Sequence, residues 1–156
     1  MYTPHVASFS ELDGDTLYRL LQLRSDVFVV EQECAYPDLD GLDLDETTWH
    51  LWLSDDLPLA YLRITREPDH ARIGRVCTRN SHRGQGLASV LIAQALTIVP
   101  GETVILHAQT HVTDLYRGHG FEICGPQFLE DGIPHVPMRR FATDADAKPS
   151  VDRHTR

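Results

Sequence analysis

The chain has 156 residues, 42% of them hydrophobic and 24% charged, with a formal net charge of −9. That length fits one domain with a sizeable core, and the negative balance argues against a general nucleic-acid binder. Three widely spaced cysteines (Cys34, Cys77, Cys124) exclude a disulfide framework and a zinc site, so no metal is expected.

No signal-like N-terminus and no apolar run of membrane-span length are present, so a cytoplasmic protein with no membrane partner is expected. Residues 2–9 read as a first strand. Ser10 reads as the cap of a helix whose Leu17, Leu20, Leu21, Leu23, Val27 and Phe28 form one apolar stripe; Asp13-Gly14-Asp15 could delay its start. A long acidic loop follows, with Asp38, Asp40, Asp43, Asp45 and Glu46. It is not a calcium loop, because Gly41 comes early and no Glu closes it. A loop this negative suits a cationic substrate.

Trp49–Leu53 and Leu59–Thr65 read as a hairpin, and a strand over 71–79 extends it into a meander. A helix over about 86–98 ends before Pro100-Gly101, and 103–109 reads as a buried strand. A short helix from Thr113 to Gly118, a strand over Phe121–Cys124 and one from about Val136 to Phe141 complete the domain, with 143–156 as a flexible tail. The strand–helix–strand unit over 71–109 should be a parallel crossover inside a mostly antiparallel α/β sheet.

The chain centres on Arg79-Asn80-Ser81-His82-Arg83-Gly84-Gln85-Gly86-Leu87-Ala88. A strand, a basic glycine turn and a helix start make an anion site, because first-turn N–H groups lack partners within the helix. No Gly-Lys-Ser/Thr follows, so this is not a P-loop and a nucleotide hydrolase is disfavoured. The dinucleotide fingerprint is also absent.

Arg83-Gly84-Gln85-Gly86-Leu87-Ala88 resembles the acyl-CoA pyrophosphate loop of GNAT-fold N-acetyltransferases. Leu115-Tyr116-Arg117-Gly118-His119-Gly120-Phe121 resembles the second part of that signature. Val27-Phe28-Val29-Val30-Glu31-Gln32, then Cys34, Tyr36 and Asp40-Gly41, with Glu130-Asp131-Gly132-Ile133-Pro134-His135, resemble the ElaA-like branch. The resemblance spans roughly residues 8–141. It implies a mixed, mostly antiparallel sheet with a central splayed parallel strand pair and flanking helices. It also implies acetyl-CoA as cosubstrate and a small-molecule or peptide amine as acceptor.

On that resemblance the backbone of Val76, Cys77 and Thr78 meets the pantetheine arm and supplies an oxyanion donor. Arg83, Gly84, Gln85, Gly86, Leu87, Ala88 and Ser89 hold the pyrophosphate. Tyr116 takes the acid role toward the leaving thiolate. An amine with a pKa of about 10.4 must lose a proton before it attacks, so a base is needed. By residue type Glu31, His50, His107, His111 and His135 qualify, and His111 and Glu31 are preferred. Glu33, Asp40, His50, Glu130 and His135 are read as the acceptor-binding set. An acyl-cysteine route through Cys77 is disfavoured, because a cysteine within a strand is usually core. The alternative function is an acyl-CoA-binding sensor or interaction module without chemistry. Pairing into a homodimer stays open.

Overall fold

In the computed structural model, which describes residues 2–142, the first four strands are β1 (His5–Ala7), β2 (Trp49–Ser54), β3 (Pro58–Arg66) and β4 (Ala71–Thr78). They pair as an antiparallel meander, as their alternation and turns predict. The expected tail, 143–156, lies outside the described residues. The next strand, β5 (Val104–Gln109), is parallel to β4. Three further strands, β6 (Glu122–Ile123), β7 (Phe128–Glu130) and β8 (Ile133–Arg140), are antiparallel, with β8 between β5 on one edge and β6 and β7 on the other. The eight-stranded sheet therefore runs β1-β2-β3-β4-β5-β8-β6, with β7 also on β8.

Residues 130–135, with Gly132 and Pro134, read in the sequence as a turn between the last strands, and β7 before them is not expected. The structure places a tight hairpin there, with Asp131 (φ 51°) and Gly132 (φ 77°) as its two-residue loop. Two left-handed residues match the right-handed twist of the flanking strands, which is why Asp-Gly serves.

Among the described residues, three α-helices flank the sheet: α1 (Gly14–Arg24), α2 (Leu87–Ile98) and α3 (Thr113–Arg117). Helix α1 starts later than a Ser10 cap would place it. Asp13 is the cap, its Oδ1 accepting from Thr16 N at 2.7 Å. Ser8 and Glu11 instead cap a separate 3-10 turn over Phe9–Glu11. Beyond Arg24 the backbone does not unwind; it widens into a π-helical stretch, Ser25–Glu31. Such wider turns are rare and often sit at functional sites.

Alternation along β3 divides the core between the two faces. Ala60, Leu62 and Ile64 pack with Leu87, Leu91, Ile92 and Ala95 of α2. Tyr61 faces the other way, with Cys77 and with Leu20, Leu23 and Val27 of the first helical segment. Among the described residues no helix is long and apolar enough to cross a membrane.

Candidate functional site

Strands β4 and β5 pair only at their beginnings, Ala71 opposite Val104 and Arg72 opposite Ile105. Beyond that point β4 continues to Thr78 and β5 to Gln109 with no pairing between them. The cause lies in β4. Two residues, Arg75 and Val76, stand there against the single Leu62 of β3, and Arg75 has φ 55°. A bulge of this kind bends its strand and sharpens the twist. Toward β3, Cys77 and Thr78 still pair with Tyr61 and Ala60. Toward β5, the backbone of 76–78 has no strand opposite it.

The glycine turn closes one end of this gap. Gly84 (φ 78°) and Gly86 (φ 75°) are both left-handed, a conformation that costs any residue with a Cβ. No side chain caps α2, and its first hydrogen bond is Val90 N to Gly86 O at 3.2 Å. The N–H groups of Leu87, Ala88 and Ser89 therefore precede the helix's own ladder and form an anion-facing end. Gly84, Gln85 and Gly86 are exposed at its rim. These features fit a pyrophosphate.

Side chains around the turn divide into two groups. Arg79 donates twice to Pro58 O (2.9 and 2.7 Å), so it anchors the turn to β3. Arg83 donates to Thr78 O at 3.1 Å and grips the Glu31 carboxylate with both terminal nitrogens, one at 2.7 Å. That hydrogen bonding holds the Glu31 carboxyl below its ordinary range, which weakens it as a base. Glu31 also borders a cavity of about 400 Å³ between the π-helical stretch and the turn, shared with Asn80 and Ser81. Ser89 Oγ lies 2.8 Å from His119 Nε2, joining the first turn of α2 to the segment after α3. The sequence reading missed this link, since its partners lie on separate motifs.

Tyr116, on α3, is buried beside Phe121 with ring centroids 6.2 Å apart. Burial first, then neighbouring Cys77, pushes its hydroxyl well above the ordinary phenol value, so it stays protonated. Cys77 is itself core, and burial pushes its thiol up to about 12. A thiol so reluctant to ionise is a poor nucleophile.

On the opposite, α1-facing side, the acidic loop is largely neutralised. Buried Arg24 reaches Asp38 (3.1 Å) and Asp43 (2.8 Å), Arg63 reaches Asp40 (2.5 Å) and Asp43 (2.9 Å), and Arg75 reaches Asp38 and Asp40. The loop thus offers less negative charge to a substrate than its sequence suggests. Burial tends to raise Asp40, but Arg63, the Leu42 amide and Arg75 outweigh it and bring the carboxyl to about 2. The missed signal was Arg24 itself: it continues the apolar stripe of α1, and a charge on a buried face requires partners.

His50 is buried within this arrangement. Its Nε2 lies 3.1 Å from Asp43 O and its Nδ1 2.6 Å from the Tyr61 hydroxyl. A carbonyl only accepts, so Nε2 carries the hydrogen and Nδ1 accepts from Tyr61. Both ring nitrogens are thereby taken up within the fold. Glu33 is exposed with φ 51°, and His111 is exposed just ahead of α3. Glu130 and His135 lie together on the last hairpin, with Glu130 2.9 Å from His107 Nδ1 and His135 Nδ1 2.7 Å from Ile133 O. Cys34 donates to Asp131 O at 3.3 Å, so the chain after the π-helical stretch meets this hairpin.

Known proteins share this architecture. A UPF0039 protein of Mycobacterium tuberculosis is 47% identical over 138 residues, covering 83% of this chain and 87% of its own. Escherichia coli ElaA is 41% identical over 140 residues, covering 84% and 91%. The crystal structure of an acyl-CoA N-acyltransferase from Pseudomonas aeruginosa superposes with TM-score 0.85 at 40% identity, over 90% of this chain and 99% of that one. The structure of E. coli ElaA superposes with TM-score 0.84 over the same shares. Residues 28–141 match the acetyltransferase (GNAT) domain family, and the chain belongs to that family, with ElaA and UPF0039 proteins as relatives.

Proposed function

We propose that the protein transfers an acetyl group from acetyl-CoA to a primary amine by direct attack. The observation that carries this reading is the parted β4–β5 pair, with the left-handed glycine turn at one end and the buried Tyr116 on α3. The N–H groups of 87–89, with Gly84, Gln85, Gly86 and Arg83, hold the pyrophosphate. The unpaired edge of Val76–Thr78 aligns the pantetheine arm, and one of its N–H groups faces the carbonyl oxygen as charge builds there. The amine nitrogen forms the new C–N bond and gives up a proton to a base, the C–S bond breaks, and Tyr116 donates its proton to the departing thiolate and regains one from solvent. The acceptor enters between the last hairpin and the loop around Cys34.

Release of the CoA thiol from acetyl-CoA, followed across polyamines, amino acids, aminoglycosides and peptide N-termini, tests this. Tyr116→Phe should lower kcat about 100-fold or more, with little change in acetyl-CoA affinity. Binding of acetyl-CoA with no thiol release from any amine would turn the reading to an acyl-CoA sensor.

A further inference from the structure

Among the described residues, one imidazole combines a fixed tautomer, an orienting carboxylate and an accessible position at the parting strands. His107 lies on β5, two residues past the last β4–β5 pair. Val104, Leu106 and Ala108 face the α2 core, so alternation turns His107 to the opposite face of the sheet. It is one-third exposed there, at 33% of its side chain. Its Nδ1 lies 2.9 Å from Glu130 Oε1 on β7. A carboxylate only accepts, so Nδ1 carries the hydrogen and Nε2 keeps its lone pair. Arg72 of β4 confirms that assignment by donating to Nε2 at 3.2 Å. The lone pair is therefore aimed away from the hairpin, across to β4, at the point where the two strands separate. Phe128 packs edge-on against the ring at 4.9 Å and fixes its plane.

Beside His107 this face carries His135 and Arg139 on β8, with Glu122 of β6 paired to Arg139; His50, Tyr61 and Arg63 share the face but lie beyond β4, on β2 and β3, and are engaged with one another and with Asp40 and Asp43. His135 spends Nδ1 on Ile133 O, and its Nε2 is 3.7 Å from Glu130, beyond a hydrogen bond. Arg139 stacks on Phe141 with its guanidinium 4.3 Å from the ring centroid. Neither competes for Nε2 of His107.

We propose that His107 is the general base of the acyl transfer and that Glu130 is the residue that positions it. The inference rests on the acyl-transfer reading above. An amine entering the gap displaces the Arg72 N–H from Nε2. An amine that arrives as its ammonium gives that proton to Nε2, and Glu130 stabilises the resulting imidazolium through Nδ1. The freed nitrogen bonds to the thioester carbon and sheds its second proton to water, while the sulfur leaves with the Tyr116 proton. His107 then returns its proton to solvent and Tyr116 regains one from it, so the sum is amide, free thiol and one released proton. A base oriented by a third group is the arrangement that nucleophile activation requires.

The test compares wild type, His107→Asn and Glu130→Gln with two probes, spermidine and hydroxylamine. Spermidine arrives protonated near neutral pH, whereas hydroxylamine is already neutral and needs little help. His107→Asn should lower kcat/KM for spermidine about 100-fold or more and abolish the acid limb of its pH profile. Activity with hydroxylamine should fall far less, and acetyl-CoA affinity should hold. Glu130→Gln, which alters an accessible side chain, should give a smaller loss and displace the acid limb. Equal losses with both probes, or an acid limb intact in His107→Asn, overturn the base. A nitrogen-15 NMR spectrum placing the hydrogen of neutral His107 on Nε2 overturns it as well. Wild-type protein that binds acetyl-CoA yet releases no thiol with either probe or with any amine of the panel above overturns the acyl-transfer reading itself, and the base with it.

Discussion

Arg83 and Glu31 form a carboxylate–guanidinium pair at the mouth of the proposed donor site. In shape and charge that carboxylate stands in for an anionic ligand, since a guanidinium fork fits carboxylate and phosphate alike. The two side chains are 39% and 40% exposed, so the pair contributes little to stability. It does compete with any phosphate for Arg83. Glu31→Ala should therefore tighten acetyl-CoA binding by roughly 2- to 5-fold by titration calorimetry, while the urea midpoint barely moves. Weaker binding would show that Glu31 holds Arg83 in its productive place. Residue type alone suggested Glu31 as a base. Its actual partner lies 52 positions away and is visible only once the fold brings the π-helical stretch to the glycine turn. Gly84 and Gly86 were legible for the opposite reason: their left-handed backbone is a local requirement, written in two motif positions one residue apart.

The acidic loop and the helix behind it work as one element. Asp38, Arg24, Asp43, Arg63, Asp40 and Arg75 alternate in sign and pin the segment 38–43 to the sheet. Asp43 sits between Arg24 and Arg63, both nearly inaccessible, so its loss breaks two buried ion pairs and leaves each cation one carboxylate, Asp38 or Asp40. Asp43→Asn should cost about 3–5 kcal/mol by chemical denaturation. The same element sets an acid limit. Asp40 titrates near 2 in the folded protein and Asp43 below its ordinary value, so the native state binds fewer protons than the unfolded chain. Their contribution is complete above the unfolded carboxylate value of about 3.9 and is lost as the pH falls through the folded values. The urea midpoint should be insensitive to these two groups from pH 7 to 5 and drop below pH 4, with a shallower drop in Asp40→Asn. Acidic residues in sequence looked like an offer to a cationic substrate. Their pairing escaped notice because Arg24, Arg63 and Arg75 come from three different elements. The last hairpin was half-legible: Asp131-Gly132 marks the turn, but β7 is too short to show an alternating pattern.

Across the whole molecule, the sheet is nearly two sheets. One carries β1–β4, the other β5–β8, and they share the short β4–β5 pairing, the α2 core and the Cys34–Asp131 contact. A ligand lying along the gap would touch both. On the proposed reading, acetyl-CoA at 100 times its Kd should stabilise the fold by about 2.7 kcal/mol, raising the Tm by several degrees in a thermal-shift measurement. No shift at that occupancy would count against a site spanning the two halves. The order of elements and the parallel crossover were legible because hydrophobic periodicity and turn residues are local. The width of the gap was not, since it depends on the bulge at Arg75, where a non-glycine residue takes a left-handed conformation without a sequence signal.

Every basic side chain described along this gap is an arginine or a histidine, Arg72, Arg75, Arg83 and His107 among them, and the chain's single lysine, Lys148, lies beyond 142. A guanidinium keeps its charge at any physiological pH, whereas an ammonium group can shed a proton and become nucleophilic. Walls built this way give positive charge without offering an amine to an activated thioester. On the proposed reading, the cleft can hold a reactive acyl donor and leave its own lining unmodified until an outside amine arrives.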